Sequence, residues 1–359
     1  MAKIGVVFGG RSVEHEVSLV SARTVFQAVL DAGHEAVPIG IAPDGVWVDA
    51  ATAAAAIRGE LARLPSPGGA ILPSLARLTE AGVDALFPIT HGTWGEDGTL
   101  QGLCEMVDLP YVGPNVTTSA VAMDKLQTKR LLASVGVPVV DFEAVTRREF
   151  EPAPAAFLAR CARLPLPLFV KPSVGGSSVG VQKVNDYAEL EAAVRFALRF
   201  DDAVLVERGV NGRELEVAVL GDETIAASVV GEIVPGRDFY DYEDKYLTDD
   251  AQLIAPADLP EAVSDRLRAI AVQAFSALGG TGMARVDFLL EGNTPYLNEL
   301  NTLPGFTRIS MYPRLWGLTG VPLPQLVGRL IDIAFARHQS RHRLDQGIRE
   351  WIAQLAARG

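Results

Sequence analysis

The sequence contains only two cysteines, Cys104 and Cys161, among 359 residues. Two thiols cannot build a disulfide framework or a cysteine-rich zinc site, so a reducing compartment is predicted. No apolar run is long enough to span a bilayer, and the opening MAKIGVVFGG lacks the pattern of a signal peptide. These absences predict a cytoplasmic protein without a membrane partner.

Basic residues are also in deficit, with 32 Lys and Arg against 44 Asp and Glu and a net charge of −12. A protein that binds nucleic-acid backbone needs a basic surface, so nucleic acid is excluded as the main partner. A phosphate ligand is still compatible, because a few placed lysines can act inside an acidic protein. A hydrophobic content of 48% supports a substantial core, and the length predicts two to three domains.

The first third alternates strands and helices with glycine-rich turns. Strands are predicted at Lys3–Phe8, His34–Ile41 and Ala85–Thr90, and a helix at Val17–Leu30. This order indicates a parallel sheet whose ligand side lies at the carboxyl ends of its strands. The chain as a whole is therefore predicted to be of the mixed α/β class.

After a break at 113–119, the pattern predicts strands within Leu168–Val184, Ala203–Val210 and Glu214–Leu220 and a hairpin over Ala284–Leu300. The polar, aromatic stretch Val234–Pro256 has weak periodicity. A loop of that length inside a compact domain usually has a function, and we predict a lid.

A glycine- and serine-rich turn follows Lys171 in the sequence KPSVGGSSVG. Glycines let backbone N–H groups approach a phosphate, and the lysine supplies a cation. The turn lies between two strands rather than before a helix, so it is not a Walker A motif. A flexible hairpin tip is the alternative, and the lysine and paired serines favour phosphate binding.

The hairpin ARVDFLLEGNTPYLNELN carries alternating polar residues on both strands. Arg285 and Asp287 share one face of the first strand, as Glu299 and Asn301 do on the second. If the loop between the strands has an odd number of residues, Asp287 lies opposite Glu299. Two carboxylates and an amide oxygen would then form a Mg²⁺ site, and a solvated edge face is the less favoured alternative.

Two further segments are ambiguous from the residues alone. The loop containing Gly305, before a helix predicted to start near Ser310, could offer backbone N–H groups to an oxyanion or could be an ordinary connection. Glu14 follows the first glycine turn and could bind an ammonium group, but a simple helix cap is favoured there.

The histidines give one candidate. His91, at a strand end in HGTWGEDG, is a possible site residue, although a turn histidine is the default. His338 and His342 lie four residues apart without the glutamate of a zincin motif, and the arginines around them predict an exposed basic face.

Seven segments in order resemble the D-alanine–D-alanine ligase family of the ATP-grasp superfamily. They are FGGRSVEHEVSL, HGTWGEDGTLQG, MDKLQTK, FVKPSVGGSSVG, YDYEDKY, ARVDF and NELNTLPGFTRISMYP, and the match as a whole runs from about residue 3 to about residue 330. One such match would be weak, whereas seven in sequence are highly specific.

The resemblance implies an ATP-grasp fold of three lobes. Residues 1–122 would form a parallel-sheet lobe for the first substrate, and residues 123–210 a central lobe with the phosphate flap. Residues 211–359 would carry the lid, the metal site and the second-substrate site. The implied reaction uses ATP and two Mg²⁺ or Mn²⁺ ions to join two D-alanine molecules through an acylphosphate. A homodimer is usual in the family.

The resemblance also assigns roles to particular residues. Glu14 would hold the first ammonium group and orient Ser177 and Tyr246. The remaining roles are implied as follows: His91 beside the first substrate; Ser310 and Met311 at the second carboxylate; Arg285 and the Gly305 backbone at the oxyanion; Lys125, Lys171 and Lys245 at the phosphates; Glu207, Val210, Glu214 and Phe239 around adenine and ribose; Asp287, Glu299 and Asn301 at the metal.

Two alternatives stay open. The first is a related ligase of different substrate, such as a D-alanine–D-lactate or another carboxylate–amine ligase. A tyrosine at 246 resembles the class specific for D-alanine. The second is a non-catalytic nucleotide-binding module, against which Glu14, Ser177 and Tyr246 all argue. A nicotinamide-dependent enzyme is excluded because the turn FGGRSVE lacks the G-x-G-x-x-G spacing.

Overall fold

A computed structural model describes residues 1–234 and 252–357. The amino-terminal part contains a three-stranded parallel sheet with β1 between β2 and β3, as the alternation of strands and helices predicts. Gly9 ends β1 with φ of 87°, and a Cβ there would lie 2.3 Å from the carbonyl oxygen of Ile41, so only glycine fits this turn. The bounds are β1 Lys3–Gly9, α1 His15–Asp31, β2 Glu35–Ile41, α2 Ala50–Ile57, α3 Ile71–Ser74, α4 Ala76–Glu80, β3 Ala85–Pro88, α5 Thr99–Met106 and α6 Val116–Met123.

The central part contains a four-stranded antiparallel sheet in the order β4-β7-β5-β6. The extended segment Val137–Val140 joins no strand and makes a single bridge from Val139 to Leu297. The edge strand of this sheet is β4, which follows that segment in the chain. The sequence pattern did not predict β4. The bounds are α7 Lys125–Ser134, β4 Phe142–Thr146, α8 Arg147–Phe150, α9 Pro154–Cys161, β5 Leu168–Pro172, β6 Gln182–Val184, α10 Leu190–Ala197 and β7 Ala203–Arg208.

The carboxyl-terminal part contains a five-stranded antiparallel sheet in the order β10-β9-β8-β11-β12. The segment predicted to be a lid leaves this sheet at the end of β9 and returns to it at β10. Its residues 235–251 lie outside the described range. The bounds are β8 Arg213–Gly221, β9 Ile225–Val234, β10 Gln252–Ile254, α11 Glu261–Ala277, β11 Gly282–Glu291, β12 Thr294–Asn301, α12 Met311–Leu318 and α13 Leu323–Ala356.

One hydrophobic core joins the first and third sheets. Core side chains of β1, α1 and β3 pack in the same cluster as those of α12 and the first half of α13. Phe306 meets Phe87 edge to face at 5.9 Å, and the buried Tyr312 hydroxyl donates to the carbonyl oxygen of Val219 at 3.0 Å. The loop that precedes α12 is therefore anchored from both lobes. In the described ranges, no helix is both long and apolar enough to cross a membrane.

Candidate active site

Two cavities of about 1040 Å³ and 370 Å³ share lining residues; the larger is lined from all three parts of the chain, and the smaller from the central and carboxyl-terminal parts. All fifteen described residues predicted for the site line one or both. The larger cavity is lined by Glu14, His91, Asn301, Gly305, Ser310 and Met311. The smaller is lined by Lys171, Glu207, Val210, Glu214 and Asp287. Lys125, Ser177, Arg285 and Glu299 line both. Phe239, Lys245 and Tyr246 lie outside the described residues.

The hairpin of β11 and β12 places its polar residues in the predicted register, but the odd-numbered loop on which that prediction depended is absent. Asp287 lies opposite Glu299 and Arg285 opposite Asn301. The connecting loop, however, is an even pair, Gly292 and Asn293. An irregularity that leaves Asn298 without an opposite residue restores the parity. The Asn298 side chain reaches towards the smaller cavity, where its Oδ1 lies 3.4 Å from Lys171 Nζ.

Arg285 is the cation around which this face is organised. Its guanidinium binds Asp287 through two bonds of 2.7 Å, and its Nε lies 3.0 Å from Glu216 Oε1. Although burial opposes the charge, these two carboxylates hold the pKa of Arg285 well above its usual value. The arginine therefore stays charged at the junction of the cavities.

The donor set of the hairpin fits a hard divalent cation. Asp287 and Glu299 each bring carboxylate oxygens to the cavity wall, and Asn301 adds an amide. Asn301 Nδ2 donates to Asp287 Oδ2 at 2.9 Å. The Asn301 amide oxygen, which is an acceptor, could therefore serve as a metal ligand. Magnesium and manganese prefer such oxygen ligands and share the rest of their shell with phosphate and water.

A buried triplet of charged side chains lies at the wall of the smaller cavity. The Glu207 carboxylate is buried between Lys171, whose Nζ lies 2.8 Å away, and Lys129, whose Nζ lies 3.1 Å away. Burial would raise the pKa of Glu207, but the two ammonium groups outweigh it and lower the pKa to about 2. Lys129 was missed by sequence reasoning, because nothing in MDKLQTK distinguishes a buried lysine from a surface one.

The Lys129→Met variant is expected to lose about 1–3 kcal/mol of unfolding free energy. The substitution leaves one buried carboxylate oxygen of Glu207 without its partner, while Lys171 still neutralises the other. Chemical denaturation measures the loss, and Lys183→Met, at an exposed lysine of β6, serves as the control. Equal stability of the two variants would show that the triplet is not structural.

The glycine- and serine-rich turn covers the junction of the cavities. Lys125 Nζ donates to the carbonyl oxygen of Gly175 at 2.6 Å and lies 3.9 Å from Glu299 Oε2. Ser177 and Ser178 adopt left-handed φ values of 52° and 57°, which are uncommon for residues with a Cβ. This backbone brings Ser177 to the wall of both cavities, as expected for a flap that closes over a ligand.

Glu14 occupies the N-cap position of α1 without capping the helix through its side chain, so the interpretation favoured by its sequence position is wrong. Its side chain makes no cap hydrogen bond and points into the larger cavity. Its Oε2 would lie 2.7 Å from a Cβ at Gly92 and 3.2 Å from one at Gly176. The glycines at these two positions leave room for the carboxylate between the amino-terminal loop and the phosphate flap.

His91 is held by two buried hydrogen bonds. Its Nδ1 lies 2.9 Å from the carbonyl oxygen of Leu303, which can only accept, so Nδ1 carries the proton. Its Nε2 then accepts from the Ser21 hydroxyl at 3.0 Å, and Ser21 Oγ in turn accepts from the Phe306 N–H. Burial lowers the pKa of His91, so the ring is neutral. His91 thus positions the backbone on both sides of Gly305.

Glu96 belongs to the same loop contact and was not predicted. Its Oε1 accepts from the Gly92 N–H at 2.8 Å, and its carbonyl oxygen accepts from Thr302 Oγ1 at 3.3 Å. Burial, with a smaller contribution from the Glu14 charge, raises the pKa of Glu96 to about 8. At neutral pH the Glu96 side chain is therefore mainly protonated. A solvent-facing acid cannot be told from a buried one in HGTWGEDG.

The Glu96→Gln variant is expected to be more stable than the parent protein above pH 8. The folded pKa lies above the unfolded value, so the parent loses unfolding free energy as the pH rises from about 4.5 to about 8. The amide cannot ionise and removes this loss, which is on the order of 4 kcal/mol.

Denaturation curves measured from pH 5 to pH 9 test this expectation. The difference between variant and parent should grow with pH and level off near pH 8 to 9. Glu80→Gln, at an exposed glutamate of α4, should show no such trend. A constant difference across the range would contradict the raised pKa.

The loop from Gly305 to Ser310 is tied to itself before α12 begins. Ser310 Oγ accepts from the Thr307 N–H at 2.9 Å and lies 2.8 Å from Thr307 Oγ1. A Cβ at Gly305 would lie 2.7 Å from Ser310 Oγ, so glycine permits this close approach. The helix starts at Met311, as predicted, and the Met311 side chain is nearly buried against Gly231.

Two family models match this chain, the first over the parallel sheet and the second over both antiparallel sheets. Residues 3–114 match the model described as "D-ala D-ala ligase N-terminus", and residues 131–332 match "D-ala D-ala ligase C-terminus". The D-alanine–D-alanine ligase of Solibacter usitatus is 45% identical and aligns with 94% of this chain and 97% of its own length. D-alanine–D-alanine ligase A of Salmonella typhimurium is 44% identical over 95% of this chain and 98% of its own.

Solved structures agree. The D-alanine–D-alanine ligase of Coxiella burnetii superposes with a TM-score of 0.81 at 36% identity, covering 100% of this chain and 99% of its own. The VanG D-Ala:D-Ser ligase of Enterococcus faecalis superposes with a TM-score of 0.78 at 33% identity, covering 93% and 99%. With both family models and near full-length relatives in agreement, this chain belongs to the D-alanine–D-alanine ligase family, with its ATP-grasp fold.

Proposed function

We propose that this protein joins two D-alanine molecules to D-alanyl-D-alanine at the expense of ATP, for peptidoglycan synthesis. The observation that carries the proposal is the junction of the two cavities. Lysines and oxygen ligands suited to a nucleotide lie on one side, a carboxylate suited to an ammonium group lies on the other, and Arg285 lies between them. Such a junction brings a phosphoryl group and an amino acid together.

The chemistry requires activation of a carboxylate. The carboxylate oxygen of the first D-alanine attacks the γ-phosphorus of ATP, which forms D-alanyl phosphate and releases ADP. The amine of the second D-alanine then attacks the acyl carbon, phosphate leaves, and the amine loses a proton. Phosphoryl transfer depends mainly on positioning and charge neutralisation. An enclosed cavity also protects the acylphosphate from water.

On the nucleotide side, Lys125 and Lys171 would bind phosphates. Val210 and Glu214 line the remainder of that cavity, where adenine and ribose would lie. The Glu207 carboxylate is already engaged by two lysines, so we assign it the positioning of Lys171 rather than direct ribose contact. Asp287, Glu299 and Asn301 would hold Mg²⁺ or Mn²⁺, two ions in all, which would neutralise phosphate charge.

On the amino-acid side, Glu14 would bind the first ammonium group, with Ser177 beside it. Arg285 and the Gly305 N–H would stabilise the oxyanion that forms when the second amine attacks. Ser310 and the backbone of Met311 would receive the second carboxylate. The roles expected for Phe239, Lys245 and Tyr246 remain predictions on residues outside the described range.

The second substrate is where an alternative is possible. A solved structure that covers nearly this whole chain is named a D-Ala:D-Ser ligase. A D-alanine–D-lactate ligase would likewise use the same first half of the reaction. The alternatives differ only in the nucleophile that enters beside Ser310 and Met311.

An assay of phosphate release with product analysis by mass spectrometry tests the proposal. Purified protein with ATP, Mg²⁺ and D-alanine should release one phosphate per D-alanyl-D-alanine. Adding D-lactate or D-serine should leave the dipeptide as the main product. A mixed product as the main species would favour the alternative, and no D-alanine-dependent phosphate release would overturn the proposal.

The proposal also covers the location and the oligomeric state of the protein. We expect a cytoplasmic enzyme, since both ATP and a reducing environment for Cys104 and Cys161 are found there. We also expect a homodimer, and light scattering of the purified protein measures this directly.

A further inference from the structure

Three metal-ligating side chains outside the active site converge at the contact between the amino-terminal lobe and α13. Asp108 follows α5, and His338 and His342 lie one turn apart on α13. Asp108 Oδ1 lies 3.0 Å from His338 Nε2 and 2.9 Å from His342 Nε2. The two Nε2 atoms are 3.3 Å apart. The sequence pattern predicted only an exposed basic face here.

The separation of the two imidazole nitrogens equals the ligand spacing of a small coordination shell, and the two separations from Asp108 Oδ1, 3.0 and 2.9 Å, are slightly shorter than that spacing. Ligands placed tetrahedrally at about 2.0–2.1 Å from zinc are about 3.3 Å from one another. One carboxylate oxygen and two imidazole nitrogens therefore form one face of such a tetrahedron. The fourth position faces outward, because Asp108 and His342 are both exposed.

The backbone and the neighbouring charges support this convergence. Asp108 adopts a left-handed φ of 57°, which turns its carboxylate towards α13. Arg337 donates to the carbonyl oxygens of Tyr111 and Gly113, and its guanidinium stacks 4.2 Å from the Tyr111 ring, so it points away from the cluster. Arg341 is paired with Glu105. Arg337 and Arg341 thus have partners of their own.

We propose that Asp108, His338 and His342 form a binding site for a divalent transition-metal ion of the zinc class. The two imidazoles favour Zn²⁺, Co²⁺ or Ni²⁺ over Mg²⁺, which prefers an all-oxygen shell. The site is separate from the oxygen ligands of the β11–β12 hairpin. A bound ion would tie the amino-terminal lobe to α13 and stabilise the folded chain.

Titration with Co²⁺ tests the site, since its visible absorption reports tetrahedral nitrogen and oxygen ligands. The full-length protein is titrated in excess Mg²⁺, which keeps the oxygen-ligand site occupied. We expect the parent to bind one more Co²⁺ per chain than the H338A/H342A double variant. Asp108→Asn is expected to weaken binding by at least the roughly 10–100-fold lost with outer partners of metal ligands.

Glu350→Gln provides the matched control, because Glu350 is an exposed acid further along α13 whose Oε1 accepts a hydrogen bond from Gln346 Nε2. This variant should bind Co²⁺ as the parent does. Thermal unfolding gives a second readout: Zn²⁺ should raise the midpoint of the parent and of Glu350→Gln but not of the double variant. Equal Co²⁺ stoichiometry and spectra for parent and double variant would overturn the proposal and leave an ordinary hydrogen-bonded cluster.

Discussion

Replacing Glu299 by Gln is expected to lower kcat/KM for dipeptide formation by about 10³-fold or more. Glu299 lies opposite Asp287 on the hairpin and 3.9 Å from Lys125. The amide keeps the size of the side chain but removes one of the two negative charges that would hold the divalent ions. Steady-state phosphate release with varied ATP, Mg²⁺ and D-alanine measures the loss.

Glu291→Gln is the matched control on the same hairpin. Glu291 pairs with Arg208 at the far end of β11, 3.0 Å away, and does not line either cavity. Its substitution should leave kcat/KM within a factor of about three. Full activity of Glu299→Gln would remove this residue from the metal site. A folded variant, verified by its unfolding midpoint, is required for either conclusion.

Replacing Glu14 by Gln is expected to reduce kcat/KM for D-alanine by about 10²-fold or more, mainly through a higher KM for the first D-alanine. The Glu14 carboxylate faces the larger cavity between Gly92 and Gly176, where an ammonium group would pair with it. The amide can accept a hydrogen bond but supplies no charge. Kinetics with D-alanine varied over a wide range separate the first-substrate effect from the second.

Glu16→Gln serves as the control for this variant, because Glu16 lies two residues further on, in the first turn of α1, but is partly exposed and pairs with Arg63 at the surface. It should retain the parent kinetics. If Glu14→Gln changed only the KM for ATP, the carboxylate would belong to the nucleotide side and the proposed substrate orientation would be wrong.

The sequence alone predicted which segments of the chain carry the candidate site residues. The alternation at Arg285, Asp287, Glu299 and Asn301 has a period of two, and strand geometry alone puts each pair on one face. Lys171 ends an apolar strand, and the turn after it has the composition of a phosphate loop. Local patterns of this kind survive folding because they depend on residues within one or two elements.

The register of the β11–β12 hairpin could not be derived from the length of its loop. Counting residues from the two-residue loop Gly292–Asn293 would have placed Asp287 out of register with Glu299. The irregularity at Asn298 corrects this. A bulge depends on what surrounds the strand, here the contact from Asn298 to Lys171, and the two residues are far apart in sequence.

The largest differences between the sequence-based predictions and the structure concern the charge and burial of individual side chains. Glu14 was favoured as a cap, yet it lies in the cavity, and Lys129 and Glu96 gave no signal although both are buried beside the site. The protonation states of Lys129 and Glu96 depend on desolvation and on partners distant in sequence, such as Glu207 for Lys129.

The amino-acid sequence by itself determined the class of fold, the family and the side chains available for catalysis, because each of these is written in local order and spacing. The tertiary structure alone decided which of those side chains share a cavity, which carry a charge, and that Asp108 meets His338 and His342. Those properties arise from distances between lobes that no local pattern encodes.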